Sequence, residues 1–352
     1  MDIALYCPDY GFYEKEEDSV GKRGDFYTSV SVGGLFGQLG AFQFSDWFAA
    51  TDETRSVETG TPHADFRLVE AGAHNGQLAR DILSWFRDHR PETFAQLVYY
   101  IIEPSPLRRE WQRVTLQEFS KQVKWVNAIG DLKKNLATSV AIIFSNELLD
   151  AFPVHRFGWD APGNKWFEWG VGWEGGRFVW SRLANTERVA EFTGRHPGVE
   201  ELSAVLPDGY TCEISPAAED WWRAAASVLA RGKLVTIDYG FTADEQFSPS
   251  RVNGTLRGYR QHRLTDDVLA DPGDQDLTAH VNFSAIQRAG ENAGLRTESF
   301  GSQAQFLTRV VENIFKRPGS FGEWGGKESR QLQTLVHPEH LGRAFHVLVQ
   351  SR

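Results

Sequence analysis

From Phe66 to Pro153 the chain alternates short apolar runs with longer segments of helical spacing, and this alternation constrains the fold more than any other feature. The order is "FRLVEAG", "QLARDILSWFRDH", "LVYYIIEP", "LRREWQRVTLQEF", "KWVNA" and "SVAIIFSNELLDAFP". Short, nearly continuous apolar runs are strands buried on both faces, and the amphipathic stretches between them serve as crossovers. Together they predict an α/β fold with a doubly wound, mostly parallel sheet.

The texture changes after Val154. "HRFGWDAPGNKWFEWGVGWEGGRFVWSRL" alternates aromatic and polar residues around glycine turns, which predicts an inserted antiparallel β region over 155–207. It interrupts a core whose first part is 65–154 and whose second part is 208–352, the latter carrying a substrate-side loop. In that second part Pro216 opens a helix that Gly232 ends, "KLVTIDYG" is a buried strand, a helix is expected from about Ser284 to Ala293, and "AFHVLVQ" is a last strand. Residues 1–64 read as a helical N-terminal lid or cap, with a helix from about Val32 and a polar linker from Thr51 to Ala64.

Composition excludes several classes of function. With 352 residues, 41% of them hydrophobic, the chain can bury the core of one large domain or two. A formal net charge of -10 removes any general attraction to nucleic acid or anionic membrane. No apolar run is long enough for a bilayer, so no membrane insertion is expected. The acidic opening "MDIALYCPDYGFYEKEED" has neither secretory nor transit character, which makes the cytoplasm the default location. Cys7 and Cys212 are the only cysteines, so neither a disulfide framework nor a metal site is expected.

The turn after the first strand, "LVEAGAHNGQL", raises the question of its ligand. Dinucleotide binding wants G-x-G-x-x-G, but His74 follows Gly72 at two and Gly76 at four. A phosphate-binding P-loop needs Lys and Ser or Thr after its last glycine, where this chain has Gln77 and Leu78. S-adenosylmethionine fits better, because its carboxylate accepts backbone amides while its ammonium and ribose hydroxyls use acids. Glu70, Gly72 and Gly76 then serve the first turn, Glu103 at the end of "YYIIEP" takes the ribose, and Asp131 in "NAIGDL" lies towards the adenine or its loop. The competing reading is a tight turn without ligand, with Glu103 as a helix cap.

"ALYCPDYGFY", "GKRGDFYTSVSVGGLFGQLGA", "EAGAHNGQLARDIL", "YYIIEPSPLRREWQ", "SNELLDAFPVHRF", "CEISPAA", "VTIDYG", "GTLRGYRQHR" and "DPGDQDLTAHVNF" occur in this order across most of the chain. The set resembles the S-adenosylmethionine-dependent methyltransferases that include the mitochondrial complex I assembly factor and its bacterial MidA-like relatives. The resemblance implies a class I methyltransferase fold and cofactor contacts in "GDFYTS", through Gly24, Asp25 and Thr28, besides the first turn and Glu103. It also implies a protein arginine as methyl acceptor, with a respiratory complex I subunit as client. Two departures stand out: Ala71, Ala73, His74 and Asn75 occupy a turn that is "GPGRG"-like in the family, and the chain opens within what resembles the family's "FMELALY" segment. These departures leave a second reading, a catalytically degenerate assembly or binding protein.

Asn146, Glu147 and Asp150 follow the buried "VAIIF" strand, where a methyl acceptor would approach. Glu147 and Asp150 are three apart, so one helical turn would present both to a guanidinium. Glu147 is the expected orienter, Asp150 its support, and His280 in "DLTAHV" a candidate proton acceptor. Asp238 in "IDYG" either caps the sheet or touches substrate. Trp166, Trp169, Trp173 and Trp180 either pack the inserted sheet or form a peptide-binding or homodimer face.

Overall fold

The computed structural model describes residues 1–15, 28–59, 65–184, 186–196, 199–260, 263–265, 267–339 and 341–352. In chain order the strands are β1 (Phe66–Ala71), β2 (Val98–Ile102), β3 (Val123–Val126), β4 (Val140–Asn146), β5 (His155–Asp160), β6 (Lys165–Glu174), β7 (Arg177–Leu183) and β8 (Thr211–Ile214). They continue as β9 (Gly232–Phe241), β10 (Arg257–Arg260), β11 (Arg263–Thr265), β12 (Asp276–Thr278), β13 (Val281–Asn282), β14 (Arg296–Ser302) and β15 (Phe345–Ser351). Two compact units are built from interleaved segments. One comprises Met1–Glu17, Leu149–Asp220 and Gly240–Ile286, the other Asp18–Leu148, Trp221–Tyr239 and Gln287–Arg352.

The larger unit holds the sheet with order β14-β15-β9-β4-β1-β2-β3. β1, β2, β3, β4 and β9 run parallel, while β15 is antiparallel to β9 and β14 on either side of it. From β1 the chain winds outward through β2 and β3, then returns to add β4 on the other side. Such a reversal leaves a crevice at the carboxyl ends of the two central strands, which is where ligands of open α/β sheets bind. The predicted mostly parallel α/β sheet is present.

The sheet is held by a core formed along predicted lines. The helix Gln77–His89 buries Leu78, Ala79, Ile82, Leu83, Trp85 and Phe86 on one stripe, in a cluster with Leu68, Tyr99 and Phe144 of the sheet. Each such side chain contributes roughly 1.5–3 kcal/mol relative to exposure. The expected linker from Thr51 to Ala64 is corrected in its first part, where the helix Leu35–Thr59 continues, while 60–64 lie outside the described residues. "TDETRSVET" contains neither Gly nor Pro, so its polarity alone does not end a helix.

In the smaller unit β5 to β7 form the expected antiparallel region, and β8, from beyond its expected end at 207, completes their sheet in the order β7-β6-β5-β8, while β10 to β12 form a second sheet. β8 carries "TCEI" into the first sheet by pairing with β5. Phe157, Trp159, Trp166, Phe192 and Tyr210 make the core of this unit, with Phe157 and Phe192 stacked at 4.3 Å. Trp173 is 63% exposed, so the tryptophans divide between core and surface.

Candidate functional site

The turn after β1 is built on three left-handed residues: Gly72 (φ 78°), His74 (φ 46°) and Gly76 (φ 85°). For glycine this backbone is free of strain, whereas for His74 it costs about 1–2 kcal/mol. Gly72 has a further requirement, since a Cβ there would lie 3.1 Å from Leu148 Cδ1 in the loop after β4. The first amide of the helix Gln77–His89 donates to Asn75 Oδ1 at 3.1 Å. At the end of β1 Glu70 is buried, and Tyr99 Oη donates to its Oε2 at 2.7 Å. Burial pushes the Glu70 carboxyl up to about 7, with the Tyr99 hydrogen bond opposing the rise.

Glu103, just beyond β2, is also buried. Its Oε1 accepts the Ser105 amide at 3.0 Å and its Oε2 accepts Gln112 Nε2 at 3.0 Å. Ser105 caps the helix Pro106–Thr115, and Pro106 supplies the fixed φ of its first turn. That helix also sends Arg109, whose Nε donates to the Glu103 carbonyl. Gln112 was not singled out by sequence reasoning, and its only signal was its position three residues after Arg109 on the same face. After β3, Asp131 Oδ2 accepts the amides of Asn127 and Ala128 at 3.1 and 3.0 Å, so its visible work is to shape that loop.

At the end of β4 the backbone departs from the expected helix. Glu147 has φ 52°, its amide donates to the Ile237 carbonyl at 2.9 Å, and Leu149–Ala151 form only a 3-10 turn. The prediction that one helical turn presents Glu147 and Asp150 together is therefore corrected: a left-handed residue cannot belong to a right-handed turn. Asp238, fully buried at the adjacent strand end, fixes this loop by accepting the amides of Leu148 (3.1 Å) and Tyr239 (2.8 Å). Asn146 Nδ2 donates to Glu147 Oε1 at 3.0 Å. Asn146 Oδ1 is buried and accepts no hydrogen bond among the described residues, a state that a bound N–H donor would relieve.

Asp150 and His280 belong to the smaller unit. Asp150 is buried, and its carbonyl accepts the Ala279 amide at 2.9 Å. Nearby, Tyr13 Oη donates to Asp276 Oδ1 at 2.7 Å. Burial, then the charge of Asp276 and more weakly that of Asp150, raises the Tyr13 hydroxyl well above its ordinary value. The His280 amide donates to Thr255 Oγ1 at 3.2 Å, and its ring meets Phe241 edge-on at 4.7 Å. Thr255 in turn donates its amide and hydroxyl to Glu213, which is ion-paired with Arg156 at 3.2 Å. Four of the family-like segments thus meet in one polar cluster. In the larger unit Thr28 is part of a turn closed by Ser31, while Gly24 and Asp25 lie outside the described residues.

The acceptors at the ends of β1, β2 and β4, with a glycine turn between them, suit a ligand bearing an ammonium and ribose hydroxyls. Comparison with known proteins agrees. A family profile described as S-adenosyl-L-methionine-dependent methyltransferase matches residues 44–301. The chain is 28% identical over 378 residues to the rat protein named protein arginine methyltransferase NDUFAF7, mitochondrial, covering 98% of this chain and 78% of the relative. The zebrafish protein of the same name is 26% identical over 377 residues, covering 98% and 80%. A crystal structure of a superfamily member from Burkholderia thailandensis bound to S-adenosyl-homocysteine has a TM-score of 0.79 at 29% identity, covering 100% of this chain and 86% of that one. The names correct one expectation: both curated relatives are mitochondrial, so the cytoplasmic assignment is withdrawn. The profile spans most of the chain, which therefore belongs to this family of S-adenosyl-L-methionine-dependent methyltransferases, with S-adenosylmethionine as its cofactor.

Proposed function

We propose that the chain methylates an arginine side chain of a partner protein, with a respiratory complex I subunit as the client. The observation that carries this reading is the end of β4. There the buried acceptor Asn146 Oδ1 stands without a hydrogen bond among the described residues, beside a carboxylate on a left-handed backbone. A guanidinium offers five N–H donors in a fixed fork and suits such acceptors. The names of the rat and zebrafish relatives support the same acceptor class.

Arginine's pKa of about 13.8 makes its full deprotonation at pH 7 cost roughly 9 kcal/mol. The protein's residues therefore have to act on the charged form. In this reading Glu147 and Asn146 hold the guanidinium fork and leave one nitrogen facing the cofactor. Glu147 accepts the N–H proton that leaves as the nitrogen gains its methyl group. When bound, S-adenosylmethionine supplies that methyl group on a sulfonium. Glu70, Gly72, Gly76 and Glu103, with Gly24, Asp25, Thr28 and the loop around Asp131, are the residues we assign to holding it.

The test uses purified chain, labelled cofactor and an arginine-containing client subunit. Glu147→Ala is expected to lower turnover about 100-fold while S-adenosylhomocysteine affinity, measured by calorimetry, stays within about twofold. Full turnover by Glu147→Ala, or label recovered on a residue other than arginine, would sink the proposal.

A further inference from the structure

The most constrained polar side chain near the cofactor loops is one to which the chemistry above gives no role. Gln112 is 0% exposed. Its Nε2 donates both to Glu103 Oε2 (3.0 Å) and to the His74 carbonyl (2.9 Å), while its Oε1 accepts Trp125 Nε1 at 2.8 Å. An indole nitrogen is only a donor, so the amide atom facing Trp125 is the oxygen. Both amide hydrogens are thereby directed at the other two partners. One buried amide thus ties together the first glycine turn, the acid beyond β2 and the strand β3 that carries Trp125. All of its hydrogen-bonding atoms are engaged, so it has no freedom to rotate without leaving a buried group unpaired.

We infer that Gln112 is a positioning residue for the cofactor. It fixes the Glu103 carboxylate in the orientation that receives the ribose hydroxyls, and holds that carboxylate in register with the Gly72 to Gly76 turn. The inference rests on the reading that Glu103 contacts the cofactor. With Gln112 gone, Glu103 Oε2 loses the donor that opposes the Ser105 amide on Oε1. The carboxylate then turns towards whatever donor remains, and the ribose meets a misaligned acceptor. Trp125 acts one step further out, by fixing which way the amide faces.

The experiment is a double-mutant cycle read by calorimetric titration with S-adenosylhomocysteine. Gln112→Met, which keeps the length and the apolar packing, is expected to weaken binding about tenfold in the otherwise native chain. In a Glu103→Ala background the same change is expected to cost less than about twofold, because its target is already absent. Trp125→Phe, a milder change at a partly exposed site, is expected to cost about threefold and to lose that effect likewise. Equal weakening in both backgrounds would show that Gln112 serves packing alone and would overturn the inference while leaving Glu103 as a contact. Native affinity in Glu103→Ala itself would overturn the contact, and the inference with it.

Discussion

Lowering the pH from 8 to 6 should weaken cofactor binding through a single carboxyl group, that of Glu70. The side chain is 2% exposed, and burial raises its carboxyl from the ordinary 4.5 to about 7. For an acid whose folded value lies above its unfolded one, stability is fully present below the unfolded value and is lost as pH rises through the folded one. At 1.36 kcal/mol per unit, keeping Glu70 ionised above pH 7 costs the ligand-free fold about 3 kcal/mol. In the proposed assignment of Glu70 to the cofactor, a positively charged methionyl ammonium beside the carboxylate offsets that cost, so the ligand selects the ionised form. At pH 6 about nine in ten molecules hold Glu70 protonated, against about one in ten at pH 8, which makes binding about tenfold weaker at pH 6. Calorimetric titration with S-adenosylhomocysteine in two buffers of different ionisation enthalpy measures both quantities, and close to one proton should be released per ligand at pH 6. Glu70→Gln keeps an acceptor for Tyr99, and is expected to flatten the pH dependence and to raise ligand-free stability at pH 8 by about 3 kcal/mol. Affinity that is level from pH 6 to 8 in the native chain, with no proton released, would refute the reasoning.

Two backbone predictions concern the same turn. His74→Gly removes the strain of φ 46° at the expense of unfolded-state entropy, and is expected to stabilise the chain by up to about 1 kcal/mol; a destabilisation in urea unfolding would show that the imidazole contributes more than its backbone costs. Gly72→Ala combines φ 78° with a contact to Leu148 at 3.1 Å. It should destabilise by about 1–3 kcal/mol in urea unfolding and weaken S-adenosylhomocysteine in calorimetric titration.

Much of this was legible in the amino-acid order because it depends on neighbours along the chain. Apolar runs and 3.6-residue spacing are local, so they disclosed the strands, the helix Gln77–His89 and the antiparallel insertion. Glycine at 72 and 76 disclosed the turn because few other residues tolerate its backbone. Glu103 was identifiable from ending an apolar strand. Asp238 could be read either as a sheet cap or as a substrate contact, and its two amide partners identify the capping role.

What remained hidden depends on residues far apart in sequence. Gln112 looks like any polar position on an amphipathic helix until His74 and Trp125 are brought to it across the sheet. Nothing local marks Glu147 for a left-handed backbone, which the end of β9 imposes through Ile237 and Asp238. Trp166 and Trp173, seven apart on β6, face opposite sides of the strand, and only the fold decides that the side of Trp166 is the one that meets Phe192 and Tyr210. Sequence alone determined the layers and the glycine turn after β1, because steric and periodic rules act over a few residues. Tertiary structure alone decided which acids are buried and which amides hold them, because desolvation and hydrogen bonding depend on what the fold brings alongside.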